Sequence, residues 1–460
     1  MSYVIGEIKQ LQFEDEIVYR VVILLDQVEV GSKILFVNPE DTSATAFYLV
    51  ISYTAKPKRL VATIPFSKSI VTLLDPQSNV LQQSQLSLTP LIRTIYFLSC
   101  DNPVADTRHS LWDEIYAEIG TLPQTALCVH LGDNIYGDGA WYNALKHPNN
   151  DALEYYREIY RSGWFNRSKR RILSSMSNLM IWDDHEIKND INLEEITDDN
   201  ERRVADSAVQ VYKEYQESLH LEKRKFLDRG WYKLIGNILI VTIERNSSGI
   251  PSSDKIVNRL KEITEEFNDS IEGMILCVSW AMLPPPEGNK YARRYEFLFG
   301  DDKFQSKEEL RTTYDFLLEW STPARPVLIT CGDAHFGVRG TITRGDKSVS
   351  IMMCSPISNH PTYNCRLAAQ AFRGTIPIED DSLVPYDSPI DGYKSISDEL
   401  IYLHIEQVEG RRCYGRTLIE RYDGAGICFI SRLVFSREKF PAHYLSYLNY
   451  QLGIYLNEKF

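Results

Sequence analysis

Acidic and imidazole side chains stand directly behind apolar segments at four places in this sequence. "IRTIYFLS" is followed by Cys100-Asp101-Asn102, "TALCVHL" by "GDNIY" (132–136), "SNLMIW" by "DDHE" (183–186) and "RPVLITC" by "GDAH" (332–335). Taken singly, an acid at such a place is a common turn or N-cap choice. A lone histidine at a strand end is more often a surface residue than a ligand. The adjacent acids Asp183 and Asp184 nevertheless repel each other unless a partner neutralises them.

The four clusters together predict a cation site. If their strands are neighbours, five or more oxygen and nitrogen atoms converge on one point, which is unfavourable without a cation. Carboxylates with one or two imidazoles suit manganese, iron, zinc, magnesium or calcium. A thiolate at Cys100 would bias one position toward iron or zinc.

The elements that position these clusters alternate between strands and helices. Helical spacing is found in "RHSLWDEIYAEIG", which ends at Gly120, in "DALEYYREIYRSGWF", and over 201–220 and 255–268. Buried strands that alternate with helices indicate an α/β fold on a largely parallel or mixed sheet. In such sheets the chemistry lies at the carboxyl ends of the strands. After about residue 395, three β-rich segments predict an antiparallel meander.

The pattern divides the 460 residues into three parts. Residues 1–90 are rich in β-branched and aromatic residues and predict a small sandwich-like or barrel-like domain. Residues 91–437 carry the α/β pattern and the four polar clusters. Residues 438–460 have aromatic residues at helical spacing, which predicts a C-terminal helix that docks on the preceding domain.

Composition limits the classes of function. A net charge of −13 argues against general binding to nucleic acid or to a membrane surface. No apolar run approaches the roughly 20 residues that span a bilayer, and the first 20 residues lack the pattern of a secretory signal. Eight scattered cysteines without a CxxC pair are typical of reduced core cysteines. We therefore expect a cytoplasmic location; the sequence carries no signal for an oligomeric state.

Over residues 92–360 the four clusters, in this order, resemble the PhoD-like (alkaline phosphatase D) branch of the calcineurin-type metallophosphoesterases. In that branch one strand ends in Ser-Cys, and the Gly-Asp-x-x-Asp element of the wider superfamily has tyrosine in last place. Trp-Asp-Asp-His-Asp/Glu replaces Gly-Asn-His-Asp/Glu, and Gly-Asp-x-His replaces Gly-His-x-His. The resemblance implies a four-layer α/β/β/α sandwich behind a small all-β domain.

The resemblance also implies a phosphomonoesterase or phosphodiesterase that uses a metal-activated water at a multinuclear site. Two or more divalent or trivalent ions of iron, calcium, manganese, zinc or magnesium are expected. By position, Asp133 would bridge two ions, Tyr136 and Cys100 would bind the same ion, and His185 would contact or protonate the substrate. The implied metal ligands are Cys100, Asp101, Asp133, Tyr136, Asp183, Asp184, Asp333 and His335, where Asp101 and Asp183 either bind metal or support a ligand. The implied catalytic residues are His185, Asp133 and Asp184.

The chain departs from the family pattern at two positions near the site. Glu244-Arg245 replaces an Asp-x-Arg element, and Asp101 replaces a glutamine or asparagine, which makes Asp101 itself a candidate ligand. Substrate contacts are expected from Asn134, Arg157 and Arg245. The basic stretch 167–171 either approaches phosphate oxygens or is a solvated helix face.

Two other classes of function are alternatives to the phosphoester hydrolase. A catalytically silent binding or scaffold protein could keep the fold, although such proteins usually lose their metal ligands first. A metal-dependent hydrolase of non-phosphate esters is the third reading. The expected partner is a small phosphoester, and the sequence does not separate monoesters from diesters or from lipid and nucleotide substrates.

Overall fold

A computed structural model describes most of the chain. The described residues are 2–13, 16–43, 45–49, 56–88, 92–102, 111–121, 126–164, 167–222, 224–227, 230–245, 249–267, 270–284, 306–359, 361, 365–366, 369, 372–378, 400–422 and 426–436. The predicted C-terminal helix over 438–460 lies outside these residues. Among the described helices, none is both long and apolar enough to cross a membrane.

The N-terminal residues form two antiparallel sheets. The first contains β1 (Ser2–Phe13), β2 (Glu16–Asp26) and β5 (Lys58–Ile64), and the second contains β3 (Lys33–Val37), β4 (Thr45–Leu49), β6 (Lys68–Leu74) and β7 (Val80–Ser87). Side chains of both sheets, such as Ile23 and Phe36, share one buried cluster. The described part of residues 2–88 is therefore β-structure, as predicted, while the domain boundary at residue 90 stays a prediction.

Two larger sheets follow. The five-stranded sheet has the order β10-β9-β8-β20-β21, with β8 (Thr94–Leu98), β9 (Ala126–Leu131), β10 (Ser177–Ile181), β20 (Cys413–Tyr422) and β21 (Gly426–Phe435). The nine-stranded sheet has the order β11-β12-β13-β14-β15-β17-β16-β19-β18, with β11 (Arg224–Lys225), β12 (Trp231–Ile235), β13 (Ile238–Ile243), β14 (Gly273–Val278), β15 (Val327–Cys331), β16 (Gly337–Arg344), β17 (Lys347–Met353), β18 (Gly374–Pro377) and β19 (Tyr402–Glu409). Strands β8, β9 and β10 are parallel neighbours, as are β13, β14, β15 and β17.

The two large sheets share a buried hydrophobic cluster. Phe97 and Leu127 of the five-stranded sheet belong to it together with Ile275 and Leu328 of the nine-stranded sheet. Seven helices surround these sheets in the described part of the chain: α1 (Leu111–Thr121), α2 (Asp138–Lys146), α3 (Ala152–Trp164), α4 (Arg167–Ser175), α5 (Asp199–Tyr215), α6 (Ser253–Phe267) and α7 (Lys307–Trp320). The predicted mixed α/β class is confirmed.

The predicted meander after residue 395 is wrong in one respect. Strands β20 and β21 form an antiparallel hairpin, as expected, but β19 belongs to the other sheet. β19 pairs with β16, whereas β20 pairs with β8. The chain therefore changes sheets between Glu409 and Cys413.

Candidate metal centre

The carboxyl ends of the parallel strands deliver the candidate ligands to one place. Cys100 follows β8, Asp133 follows β9, and Asp183 and Asp184 follow β10, while Asp333 follows β15 on the facing sheet. Hydrogen bonds tie neighbouring loops together, with the Cys100 N–H donating to the Gly132 carbonyl at 3.3 Å. The sheet topology thus explains why four distant segments meet.

Several of these residues have left-handed backbone conformations. The φ angles are +54° at Cys100, +53° at Asp133, +64° at Asp333 and +55° at His335. This region is unfavourable for residues other than glycine, by about 1–3 kcal/mol each, and such residues cluster at functional sites. Here the left-handed turn lets each side chain leave the end of its strand toward the space between the sheets.

Three groups of potential metal ligands share one carboxylate. The groups are Cys100, Asp133 and His335; Asp133, Asp184 and His185; and Asp133, Asp183 and Asp333. Within each group the ligand atoms lie no more than 4.8 Å from one another. Asp133 is common to all three groups, which is the arrangement that a bridging carboxylate requires.

Three buried carboxylate oxygens at this place lack a hydrogen-bond partner among the described residues. They are Oδ1 of Asp133, Oδ2 of Asp183 and Oδ1 of Asp184. A buried polar atom without a partner costs about 1–3 kcal/mol, and more when it is charged. Cations would satisfy these oxygens, and the donor set of carboxylates, imidazoles, thiol and phenol fits hard to borderline metal ions.

Tyr136 and Cys100 lie on either side of Asp133. The Tyr136 hydroxyl is 3.5 Å from Asp133 Oδ2 and 3.2 Å from His335 Nε2, and the Cys100 thiol is 3.4 Å from the same Asp133 oxygen. Burial raises the pKa of the Cys100 thiol and of the Tyr136 phenol, and the charge of Asp133 raises both further. Both groups therefore keep their protons until a cation displaces them.

His185 is held by a carboxylate that the sequence analysis did not select. Its Nδ1 lies 2.8 Å from Asp138 Oδ2, and Asp138 Oδ1 accepts a hydrogen bond from the Asn189 N–H at 2.9 Å. Asp138 is the last residue of "GDNIYGD", so its place five residues after Asp133 was the available signal. The His185 ring also lies over the Tyr136 ring, with centroids 4.1 Å apart.

The pKa values of His185 and Asp133 are both raised. Burial lowers the pKa of His185, but the charge of Asp133 and the hydrogen bond to Asp138 outweigh burial and raise it to about 10. Burial raises the pKa of Asp133 to about 8, against the opposing effect of His185. His185 is therefore a cation, and thus a potential proton donor, at neutral pH.

Arg245, which the sequence analysis selected as a substrate contact, lies among the carboxylates. One terminal nitrogen donates to Asp333 Oδ2 at 3.1 Å, Nε is 3.4 Å from Asp183 Oδ1, and the other terminal nitrogen is 3.9 Å from Asp184 Oδ2. Burial lowers the pKa of Arg245, but these carboxylates raise it more. Arg245 thus contributes a fixed positive charge to an otherwise anionic place.

Asp101 is separate from the ligand groups. Its carboxylate forms a buried ion pair with Lys169 and accepts hydrogen bonds from Ser358 Oγ at 2.7 Å and Trp112 Nε1 at 3.3 Å. Each of its two oxygens has a partner within the protein, so Asp101 is left out of the ligand set. These contacts do not support the predicted ligand role of Asp101, which stays a prediction.

Asn134 and Arg157 are likewise committed to contacts within the protein. The Asn134 amide donates to the Ile181 carbonyl at 3.0 Å and to Gln216 Oε1 at 2.9 Å, and it is buried. Arg157 forms a two-point ion pair with Glu214, at 2.9 Å for each contact, which joins α3 to α5. These contacts hold the scaffold together and do not support the predicted substrate-binding roles of Asn134 and Arg157, which stay predictions.

Two further sets of residues support the site, and neither is among the site residues selected from the sequence. The buried Glu186 carboxylate accepts from the N–H groups of Asn134 at 2.9 Å and Asp183 at 2.8 Å, so it joins the loops after β9 and β10. Ser355 and Asn359 follow β17, where Ser355 Oγ donates to the Cys100 sulfur at 3.0 Å and Asn359 Nδ2 donates to the Tyr136 hydroxyl at 2.9 Å. The available signal was a polar Ser-x-x-Ser-Asn run directly behind an apolar strand.

A family model matches part of the chain. Residues 95–227 match the model described as PhoD-like phosphatase. Over these residues the match confirms the resemblance seen in the sequence, and it supports a phosphatase hydrolase. No curated protein matches the chain significantly.

Two solved structures share the fold at low sequence identity. The chain is 11% identical to a structure titled "Structure of PhoD", with a TM-score of 0.57 over 95% of this chain and 90% of that one. It is 8% identical to the purple acid phosphatase PPD1 from yellow lupin seeds, with a TM-score of 0.51 over 95% of this chain and 72% of that one. At these identities the likeness shows a common fold.

Proposed function

We propose that this chain hydrolyses small phosphomonoesters or phosphodiesters at a multinuclear metal centre. The observation that carries the proposal is the position of Asp133, whose carboxylate is shared by three potential ligand groups. The three unpaired buried carboxylate oxygens of the same site support it.

The chain offers a defined ligand set. The residues that would hold metal ions are Cys100, Asp133, Tyr136, Asp183, Asp184, Asp333 and His335. Bound cations would activate a water molecule as the nucleophile and neutralise the charge of the phosphoryl oxygens. The candidate carboxylates come from three strand ends, and Asp133 and Asp333 stand in left-handed turns there.

His185 is proposed as the general acid. Asp138 holds its ring by the 2.8 Å hydrogen bond to Nδ1, and the raised pKa keeps a proton on the imidazole at neutral pH. A positioned imidazolium can protonate the leaving alkoxide and so prevent the build-up of charge on that oxygen. The half-buried Asp138 then stabilises the charge of the ring.

Arg245 is proposed to contact the phosphoryl group. Its guanidinium carries several donors and lies beside Asp183 and Asp333, next to the place where the candidate ligands converge. Planar guanidinium groups recognise phosphate through paired, charge-assisted hydrogen bonds. Its remaining donors are suited to an anion that approaches this group of carboxylates.

The domain boundaries, the order of the layers and the location are also proposals. We propose an N-terminal domain over 1–90, a catalytic domain over 91–437 and a docking helix over 438–460. The shared cluster between the two large sheets supports a four-layer α/β/β/α order. A cytoplasmic location rests on the sequence pattern alone.

Elemental analysis combined with an ester panel tests the proposed function. Native protein should contain stoichiometric metal and hydrolyse p-nitrophenyl phosphate, its bis-ester or both, with competition by inorganic phosphate or vanadate. Removal of the metal with a chelator should abolish turnover, and reloading should restore it. Protein without stoichiometric metal or hydrolysis of either ester would indicate a silent scaffold. Turnover of carboxylic esters without competition by vanadate would indicate a hydrolase of non-phosphate esters.

A further inference from the structure

The basic stretch 167–171 contains one lysine that points into the protein. Lys169 lies on α4 and is only 2% exposed. It is therefore neither part of a solvated helix face nor available to a substrate. A buried lysine needs partners for its charge, because burial of an unpaired ammonium is strongly unfavourable.

The Lys169 ammonium has two partners, one from each of two site loops. It forms an ion pair with the Asp101 carboxylate, which follows β8, and donates a hydrogen bond to the Asn134 carbonyl, which follows β9, at 3.2 Å. The rings of Trp112 and Trp164 flank it, with centroids 5.4 Å and 5.9 Å from the nitrogen. The ammonium thus connects the loop after β8 to the loop after β9.

The residues that Lys169 holds are direct neighbours of candidate ligands. Asp101 follows Cys100 in the chain, and its N–H donates to the Asp133 carbonyl at 2.8 Å. Asn134 follows Asp133. A shift of either loop would therefore change the 3.4 Å separation between the Cys100 thiol and Asp133 Oδ2.

We propose that Lys169 is a positioning residue for the metal centre: it fixes the two loops so that the Cys100 thiol and the Asp133 carboxylate stay within reach of one cation. The inference rests on the proposed function. Cys100 and Asp133 have left-handed backbone conformations, which persist only where surrounding contacts hold them. The contacts of Lys169 with Asp101 and Asn134 are such contacts. Lys169 acts through Asp101 and Asn134 and does not itself touch the ligand atoms.

The chain offers a matched control in Lys233. This lysine is 8% exposed, and its ammonium pairs with the Glu7 carboxylate at 2.6 Å and donates to the Glu222 carbonyl. It therefore has the same two kinds of partner as Lys169. None of those partners belongs to the metal centre, so Lys233→Met reports the effect of losing a buried ion pair alone.

The experiment compares Lys169→Met with Lys233→Met and the wild type. The metal dissociation constant is measured by competition with a chelator, the thermal midpoint on metal-free protein, and kcat and KM with p-nitrophenyl phosphate. Both variants should lower the thermal midpoint. Only Lys169→Met should weaken metal binding, by tenfold or more, and lower kcat at saturating metal while KM changes little.

A second variant separates positioning from folding. Lys169→Met combined with Asp101→Asn leaves neither member of the pair as an isolated buried charge, so the thermal midpoint should recover while metal affinity stays weakened. Wild-type metal affinity and kcat in both the single and the double variant would overturn the inference. In that case the wild type still binds metal, so the proposed function stands. A wild type that binds no metal would overturn the proposed function and this inference together.

Discussion

Replacement of Asp133 by asparagine separates the metal-binding role of this carboxylate from its effect on folding. The side chain keeps its size but loses its charge and one anionic ligand from each of the three groups that share it. Turnover and stoichiometric metal binding should both be lost. The stability of the metal-free protein should change in the opposite direction.

The sign of the stability change follows from the pKa of Asp133. Burial raises this pKa from 3.8 to about 8 in the folded protein. A raised folded pKa means that the group contributes stability at low pH and that this contribution is lost as pH rises from about 4 to about 8. At pH 9 the ionised carboxylate therefore destabilises the metal-free fold, by at most about 6 kcal/mol at roughly 1.4 kcal/mol per pKa unit. The lost attraction to His185 reduces the gain, so the metal-free variant should unfold at or above the wild-type temperature.

With metal bound, we expect the wild type to unfold at a higher temperature than Asp133→Asn. At a free concentration of 100 times the dissociation constant, a bound ion stabilises the fold by about 2.7 kcal/mol. This corresponds to a rise of the thermal midpoint on the order of 5 °C for a large domain. The wild type should show this rise, and Asp133→Asn should show none.

Calorimetry at pH 9, with and without metal, measures both effects, and elemental analysis gives the metal content. Asp26→Asn is the matched control, because Asp26 is a buried carboxylate paired with Arg161 and Tyr215, outside the three ligand groups. That variant should lose stability and keep its metal. Retained metal and turnover in Asp133→Asn would refute the bridging assignment. A metal-free Asp133→Asn that is clearly less stable than the wild type would refute the electrostatic argument.

Three further predictions concern the acid and the ligands. His185→Ala should lower kcat by about 10²–10⁴-fold while metal content stays unchanged, because a positioned acid contributes that much; loss of metal in elemental analysis would make His185 a ligand instead. Asp138→Asn removes the hydrogen bond that raises the pKa of His185, so kcat should fall by about tenfold. The alkaline limb of the profile of kcat against pH should move to lower pH. An unchanged limb in the pH–rate profile would show that His185 is not the titrating acid. Metal affinity, measured by chelator competition, should rise by at least one log unit per pH unit below about pH 8, since Asp133 must lose its proton to bind a cation. A flat profile between pH 6 and 8 would contradict the raised pKa of Asp133.

The sequence by itself determined the class of fold and the type of site. An apolar strand followed at once by acids or histidines is a local pattern, and its repetition at four strand ends was enough to predict converging ligands. Cys100, Asp133, Asp184, His185 and His335 come together because strands β8, β9 and β10 of one sheet and β15 of the other end at the same place. The same four blocks in order carried the resemblance to the PhoD-like branch.

The tertiary structure decided what each polar side chain contacts. Asp101 and Asn134 stand at strand ends and Arg157 lies on α3, yet each has a partner 57 to 82 residues away along the chain: Lys169, Gln216 and Glu214 respectively. A carboxylate beside a buried lysine forms an ion pair, whereas a carboxylate beside other acids is a candidate metal ligand. Local sequence does not specify which of these neighbours a side chain meets, because packing of distant helices and strands places them. For the same reason the sequence shows Lys169 only as part of a basic stretch. Its contacts with the loops after β8 and β9 depend on the packing of α4.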